Sequence, residues 1–276
     1  MEFKPALPQR NDNITHERPM QEFVLLIAGI GAICTVLFLA SGWLIDVAVS
    51  RISPEMEARI FAASSPAAQD GAADADPRRM VLQQMVDTLR PCLEIGYPLR
   101  VELMASAQAN AMAAPGGRVI VLEGLLAKVR SENGLAFVLA HELAHFKNRD
   151  HLSGLGRGMV LTALTAALTG ADSGLTRLIA PAAEFGVARY SQERELRADD
   201  LALQALVCRY GHVGGADEFF TAMADESFLG GIGSYFASHP EARERIKKLE
   251  ESASRRGVKT GAVRELPEPI QPDARK

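Results

Sequence analysis

The longest feature in the apolar–polar pattern is the run Phe23 to Ile45, FVLLIAGIGAICTVLFLASGWLI, which holds no charged residue. As a helix it extends about 34 Å at 1.5 Å per residue. That length crosses a hydrocarbon core of about 30 Å. Trp43 near one end fits an interfacial anchor. A buried core helix usually carries a polar face, which this run lacks. A cleaved signal peptide usually has a shorter apolar stretch, although Ala40-Ser41-Gly42 is a tolerable cleavage site. The pattern therefore predicts a polar, flexible tail over 1–22 and a transmembrane signal anchor over 23–49. Lys4, Arg10 and Arg18 before the span outnumber Arg51 and Arg59 after it, which slightly favours a cytoplasmic N-terminus.

Beyond the span, Ser53-Pro54-Glu55 is a helix start, followed by the Ala/Ser/Asp-rich stretch AASSPAAQDGAADADP. Residues 50–78 read as a juxtamembrane helix and linker. Apolar residues then recur at helical spacing over Arg79–Arg90 until Pro91. Leu99–Ser106 and Arg118–Gly124 read as strands, with the turn-like Ala114-Pro115-Gly116-Gly117 between them. Helices are predicted over Glu132–Lys147, within the apolar stretch 152–170, over Ser191–Cys208 and over Pro240–Ser254. The charged, Pro-containing segment 255–276 reads as a disordered tail.

Composition changes this picture little. The formal net charge is −4 and no dense Lys/Arg cluster occurs, so no nucleic-acid partner is expected. Of the three cysteines, Cys34 lies in the apolar run. Cys92 and Cys208 lie outside it; they either form a disulfide in an oxidising compartment or remain buried thiols. No C-x-x-C pair offers a thiolate zinc site.

The chemistry centres on His141-Glu142-Leu143-Ala144-His145. Residues four apart share a helical face, so both imidazoles can grip one tetrahedral Zn²⁺. Glu142 beside them can take a proton from an attacking water. The preceding GLAFVLA is apolar, so the motif sits on a helix with buried surface, where unpaired imidazoles are costly. A catalytic zinc needs a third protein ligand. Glu195 is the candidate, with Asp199 four residues on, placed to accept the N–H of a ligating imidazole, His141 above all. Arg194 and Arg197 allow the competing reading of a salt-bridged exposed face, and Glu193 is a rival ligand.

Together, His141–His145 and the E-x-x-A-D-like segment Glu195–Asp199 resemble the HtpX-like and CAAX-prenyl-protease-like zinc peptidases, a branch of the gluzincins. Asn110 to Gly117 followed by VIVLEGLL resembles that family's strand-turn-strand, with Met112 replacing the usual Phe. Ser238-His239-Pro240 with Arg245-Ile246 resembles its S-H-P segment, and Gln192 stands where the family often has Arg. The resemblance covers residues 79–250. It implies that Asn110, on an edge strand, holds substrate backbone, and that His239 stabilises the oxyanion. It also implies quality control of misfolded envelope proteins as the role. The remaining histidines, His16, His151 and His212, read as surface residues, and the glycine-rich stretch Phe228–Gly233 as either a plain loop or a mobile lid.

The expected fold is α+β and mostly helical: a zincin-like metallopeptidase domain over 79–254, with a small β-sheet bordering the cleft, behind one transmembrane helix. The expected protein is a single-pass membrane endopeptidase with one Zn²⁺ per chain. It acts on protein or peptide substrates, sits in the bilayer through residues 23–45, and faces the periplasm from a bacterial inner membrane. Two other readings compete: a gated or catalytically quiet chaperone or adaptor, and an integral prenyl-protein protease, which would need several spans.

Overall fold

A computed structural model describes residues 19–61, 75–174, 176–177, 192–219, 221 and 242–271. The chain divides into two compact units, residues 1–44 and residues 45–276. The first contains most of helix α1, Pro19–Arg51. This is the one helix among the described residues that is long and apolar enough to cross a membrane. Its apolar side chains, Phe23, Leu25, Ile33 and Leu39 among them, are exposed.

The second unit is mostly helical. Helix α2 spans Pro54–Phe61 and α3 spans Pro77–Leu89; the latter runs into a 3-10 turn over Arg90–Leu93. Asp76 caps α3 by accepting from the Arg78 N–H, satisfying one of the free donors at a helix start. Three strands follow: β1 Arg100–Met104, β2 Ala111–Ala114 and β3 Arg118–Leu122. Their order is β1-β3-β2, with β1 parallel and β2 antiparallel to β3. The two strands expected from the pattern are thus neighbours, and a third, made almost wholly of alanine, forms the edge. The β2–β3 turn places Gly116 and Gly117 at φ +86° and +75°, a left-handed conformation open to glycine at little steric cost.

After a short helix α4, Glu123–Leu126, comes the centre of the unit, α5, Glu132–Lys147. Ser131 caps it through the Gly134 N–H. Every residue from Asn133 to Phe146 is buried, because α3, β2 and the later helix α7, Gln192–Tyr210, pack around it. Arg149 then turns the chain in a left-handed conformation, φ +60°, which costs a non-glycine residue about 1–2 kcal/mol. Helix α6, Asp150–Thr169, starts at the next residue. Helices α7 and α8, the latter Ala242–Arg255, follow among the described residues.

One expectation needs correction. Residues 256–271 do not form a disordered tail. Leu266 and Ile270 are buried in the core, and Arg264 exchanges bonds with the start of α5, its carbonyl accepting from Glu132 N–H and its N–H donating to Asn133. Two apolar anchors and these backbone bonds hold the strap despite its polar composition. Helix α2 stands where a juxtamembrane helix is expected, ahead of the domain over 79–254, and lies in the second unit with its Glu57 only 2% exposed.

Candidate metal centre

Helix α5 is buried on all sides, so its ionisable residues need compensation from other elements. His141, Glu142 and His145 have no solvent exposure, and neither has Glu195 of α7. Each imidazole faces a carboxylate with its Nδ1. His141 Nδ1 lies 2.9 Å from Asp199 Oδ1, and His145 Nδ1 lies 3.1 Å from Asp150 Oδ2. An ionised carboxylate only accepts, so each Nδ1 carries a proton and donates it; in the neutral tautomer of each ring Nε2 is then the nitrogen without a proton.

Those two Nε2 atoms lie 3.1 Å apart. Glu195 Oε2 is 3.3 Å from His141 Nε2, and Oε1 is 3.4 Å from His145 Nε2. Lone pairs packed this closely repel one another unless a positive charge lies among them. A tetrahedral zinc with bonds of 2.0–2.1 Å sets its ligand atoms about 3.3–3.4 Å apart. The donor set therefore fits such an ion in both chemistry and spacing. His141, His145 and Glu195 are the group of potential metal ligands found among the described residues.

The titration behaviour has the same origin. Burial pulls the His145 pKa down, but Asp150, Glu195 and Glu142 outweigh it and push it up to about 9. His141 is also raised against burial, by Glu195 and Asp199. Asp199 goes the other way: burial raises it, and Arg245 and His141 more than reverse that.

Arg245 of α8, 1% exposed, ties the α7 carboxylates together. Its Nε and Nη2 donate to Asp199 at 2.8 and 2.6 Å, and its Nη1 lies 2.7 Å from Glu195 Oε2. Glu142 turns towards the sheet, where its Oε2 accepts the Ala113 N–H of β2 at 2.9 Å. Asn110 lies just before β2, its carbonyl accepting from Leu122 N–H, and its side-chain oxygen is buried with no hydrogen-bond partner among the described residues.

The structure thus brings together His141, Glu142, His145, Glu195 and Asp199. Cys92 and Cys208 form a disulfide, joining the 3-10 turn after α3 to α7. His239 and the stretch 228–233 lie outside the described residues. His151 is not a surface residue: it is 1% exposed, packed against Phe146 and 2.9 Å from Glu57. Sequence reasoning assigned no role to Asp150 or to the Arg245 guanidinium. Asp150 gave the fainter signal, an acid at a helix start five residues after His145.

Comparison with known proteins agrees with the motif resemblance. Residues 76–253 match the model of Peptidase family M48. The mitochondrial metalloendopeptidase OMA1 of Schizosaccharomyces pombe is 31% identical over 147 residues, 51% of this chain and 43% of that protein. A protease HtpX homolog of Salinibacter ruber is 29% identical over 211 residues, 63% of this chain and 75% of its own. The mitochondrial metalloendopeptidase OMA1 of Danio rerio is 36% identical over 78 residues, 26% of this chain and 16% of that protein. The chain thus spans less than half the length of both OMA1 relatives.

Proposed function

The chain belongs to Peptidase family M48, and from that premise we propose that it is a membrane-anchored zinc endopeptidase, with one Zn²⁺ held by His141, His145 and Glu195. The observation that carries this reading is the spacing of the donor atoms, 3.1–3.4 Å, with both Nδ1 atoms turned to carboxylates. The fold this implies is zincin-like, with β2 bordering the cleft.

Zinc bound there supplies Lewis acidity, polarising the scissile carbonyl and acidifying a water. Glu142 takes the proton of the attacking water and returns it to the leaving amine. The Ala113 N–H holds its carboxylate in one orientation while that happens. Asp199 and Asp150 keep the two imidazoles in the tautomer whose Nε2 carries no proton. A substrate strand adds along β2, and the buried side-chain oxygen of Asn110 is the acceptor available to its backbone. His239 is assigned the oxyanion through the motif alone.

Helix α1 supports a bilayer anchor through residues 23–45, and the Cys92–Cys208 disulfide supports an oxidising compartment. These favour a catalytic unit on the periplasmic face of a bacterial inner membrane; degradation of misfolded envelope proteins is what the motif resemblance implies. The complete burial of His141, Glu142, His145 and Glu195 supports a second reading, a gated site that acts only when its cover moves.

The deciding experiment measures zinc content and cleavage of an unfolded protein, using full-length wild type and Glu142→Gln. Zinc in both with cleavage only in wild type is expected, the loss of the base lowering turnover about 10²–10⁴-fold. Zinc without cleavage in either favours the gated reading. No zinc in either would overturn the assignment of the ligands.

A further inference from the structure

The family match begins at residue 76, so the segment after α1 lies outside it. That segment nevertheless reaches the turn that follows the metal-binding helix. Arg149, the left-handed residue between α5 and α6, donates to the Ile52 carbonyl at 2.7 Å. It also lies 3.3 Å from Glu57 Oε2. His151, two residues on, has Nε2 2.9 Å from Glu57 Oε1 and Nδ1 3.3 Å from the His145 carbonyl. Between Arg149 and His151 stands Asp150, the carboxylate facing His145.

Glu57 has a further partner on the other side of the site. Its Oε1 accepts the Gly116 N–H of the β2–β3 turn at 2.9 Å. A Cβ built on Gly116 would lie 3.1 Å from Phe61 Cβ, so α2 rests closely on that turn. One buried carboxylate thus joins the hairpin that carries Ala113, which holds Glu142, to the turn that carries Asp150, which holds His145. The end of α1 makes a parallel link: Asp46 is 3.2 Å from Arg194, and Arg194 Nε is 3.4 Å from Asp150 Oδ1.

We propose that Glu57 is a positioning residue of the peptidase site, fixing the edge strand β2 and the α5–α6 turn relative to each other. It touches neither substrate nor metal and acts through Gly116, Arg149 and His151. The segment between the membrane and the matched domain is accordingly part of the catalytic machinery. This rests on the reading of His141, His145 and Glu195 as the zinc site.

The test compares full-length wild type, Glu57→Ala, Glu57→Gln and Glu142→Gln in lipid nanodiscs. Zinc affinity is measured by chelator competition, kcat and KM on an unstructured peptide, and folded fraction by circular dichroism. In Glu57→Ala, zinc affinity falls about 10-fold and kcat/KM about 10–100-fold, at unchanged folded fraction. Glutamine keeps an acceptor for the Gly116 N–H but loses the charge facing Arg149 and His151. Glu57→Gln therefore restores KM towards wild type while zinc affinity stays low. A purely structural role for Glu57 would leave this split absent whatever the melting temperature, and that result overturns the proposal.

Wild-type zinc affinity, kcat and KM in folded Glu57→Ala overturn the proposal, provided wild type binds zinc and cleaves and Glu142→Gln only binds. If Glu57→Ala does not fold, Glu57→Gln decides alone, and wild-type values in it overturn the proposal. If wild type binds no zinc, the site reading fails and this inference falls with it.

Discussion

Replacing Arg245 by Met tests whether the site is held by its buried charges. The guanidinium is 1% exposed and makes two bonds to Asp199 and one close contact with Glu195. Methionine fills similar space and removes the charge, leaving two carboxylates on adjacent turns of α7 inside the protein. Removing one partner of a buried ion pair costs about 3–5 kcal/mol. For a domain of this size each kcal/mol lowers the melting temperature by about 2–4 °C, so the zinc-free variant should melt about 6–20 °C below wild type. Zinc changes the sum, because a dication at Glu195 compensates one of the exposed charges. The deficit should therefore shrink when zinc is restored. The assay is thermal unfolding of the detergent-solubilised chain, stripped by chelator and then reloaded. Arg245→Lys, which keeps the charge but not the planar fork, should fall between the two. A zinc-free Arg245→Met protein melting within 2 °C of wild type would refute the reasoning, as would a deficit that zinc leaves unchanged.

Other consequences are equally open to measurement. Asp150→Asn removes the charge opposite His145 Nδ1 and should weaken zinc binding about 10–100-fold in a chelator competition; wild-type affinity would remove Asp150 from the site. Cys92 and Cys208 are 116 residues apart, so chain entropy assigns their bond about 4–5 kcal/mol. Cys92→Ser should accordingly lower the melting temperature by about 8–20 °C, and added reductant should do the same to wild type but not to the variant. Glu57 supplies a pH signature. Burial raises its pKa, but His151, Gly116 and Arg149 together hold it below the usual 4.5. A depressed carboxylate stabilises the folded state above its unfolded pKa and loses that contribution as pH falls through the folded value. Glu57→Gln should thus melt below wild type at pH 7, and the gap should close progressively below pH 4.5; a gap independent of pH would contradict the charge on Glu57.

What could be read from the sequence follows from what helical spacing fixes. His141 and His145, and Glu195 and Asp199, are each four apart, so their shared faces follow from 3.6 residues per turn. Helix α5 was readable end to end because its apolar content is continuous. Strand β2 was not readable from periodicity, since Ala111-Met112-Ala113-Ala114 offers no alternation and only the glycine turn after it marks a hairpin. Asp150 was hidden for a different reason: it reaches His145 through the left-handed turn at Arg149, a conformation that no residue preference announces at an arginine. Arg149 is in turn held by Ile52 and Glu57 from nearly a hundred residues earlier. Local pattern cannot encode contacts of that range.

The same distinction explains why the candidate ligands could be named before their supports. A metal ligand set is defined by donor chemistry, which residue type reveals. The supports are defined by charge balance, which only the folded packing reveals. Around α5 four carboxylates, Glu142, Asp150, Glu195 and Asp199, are at most 3% exposed. Among the described residues, Arg245 meets Glu195 and Asp199, and Arg194 meets Asp150. A carboxylate-rich region sealed from water is where poorly compensated charge is least tolerated. A divalent cation among these groups lowers that cost. The burial that makes the histidines costly on their own is therefore the same feature that favours a cation between them.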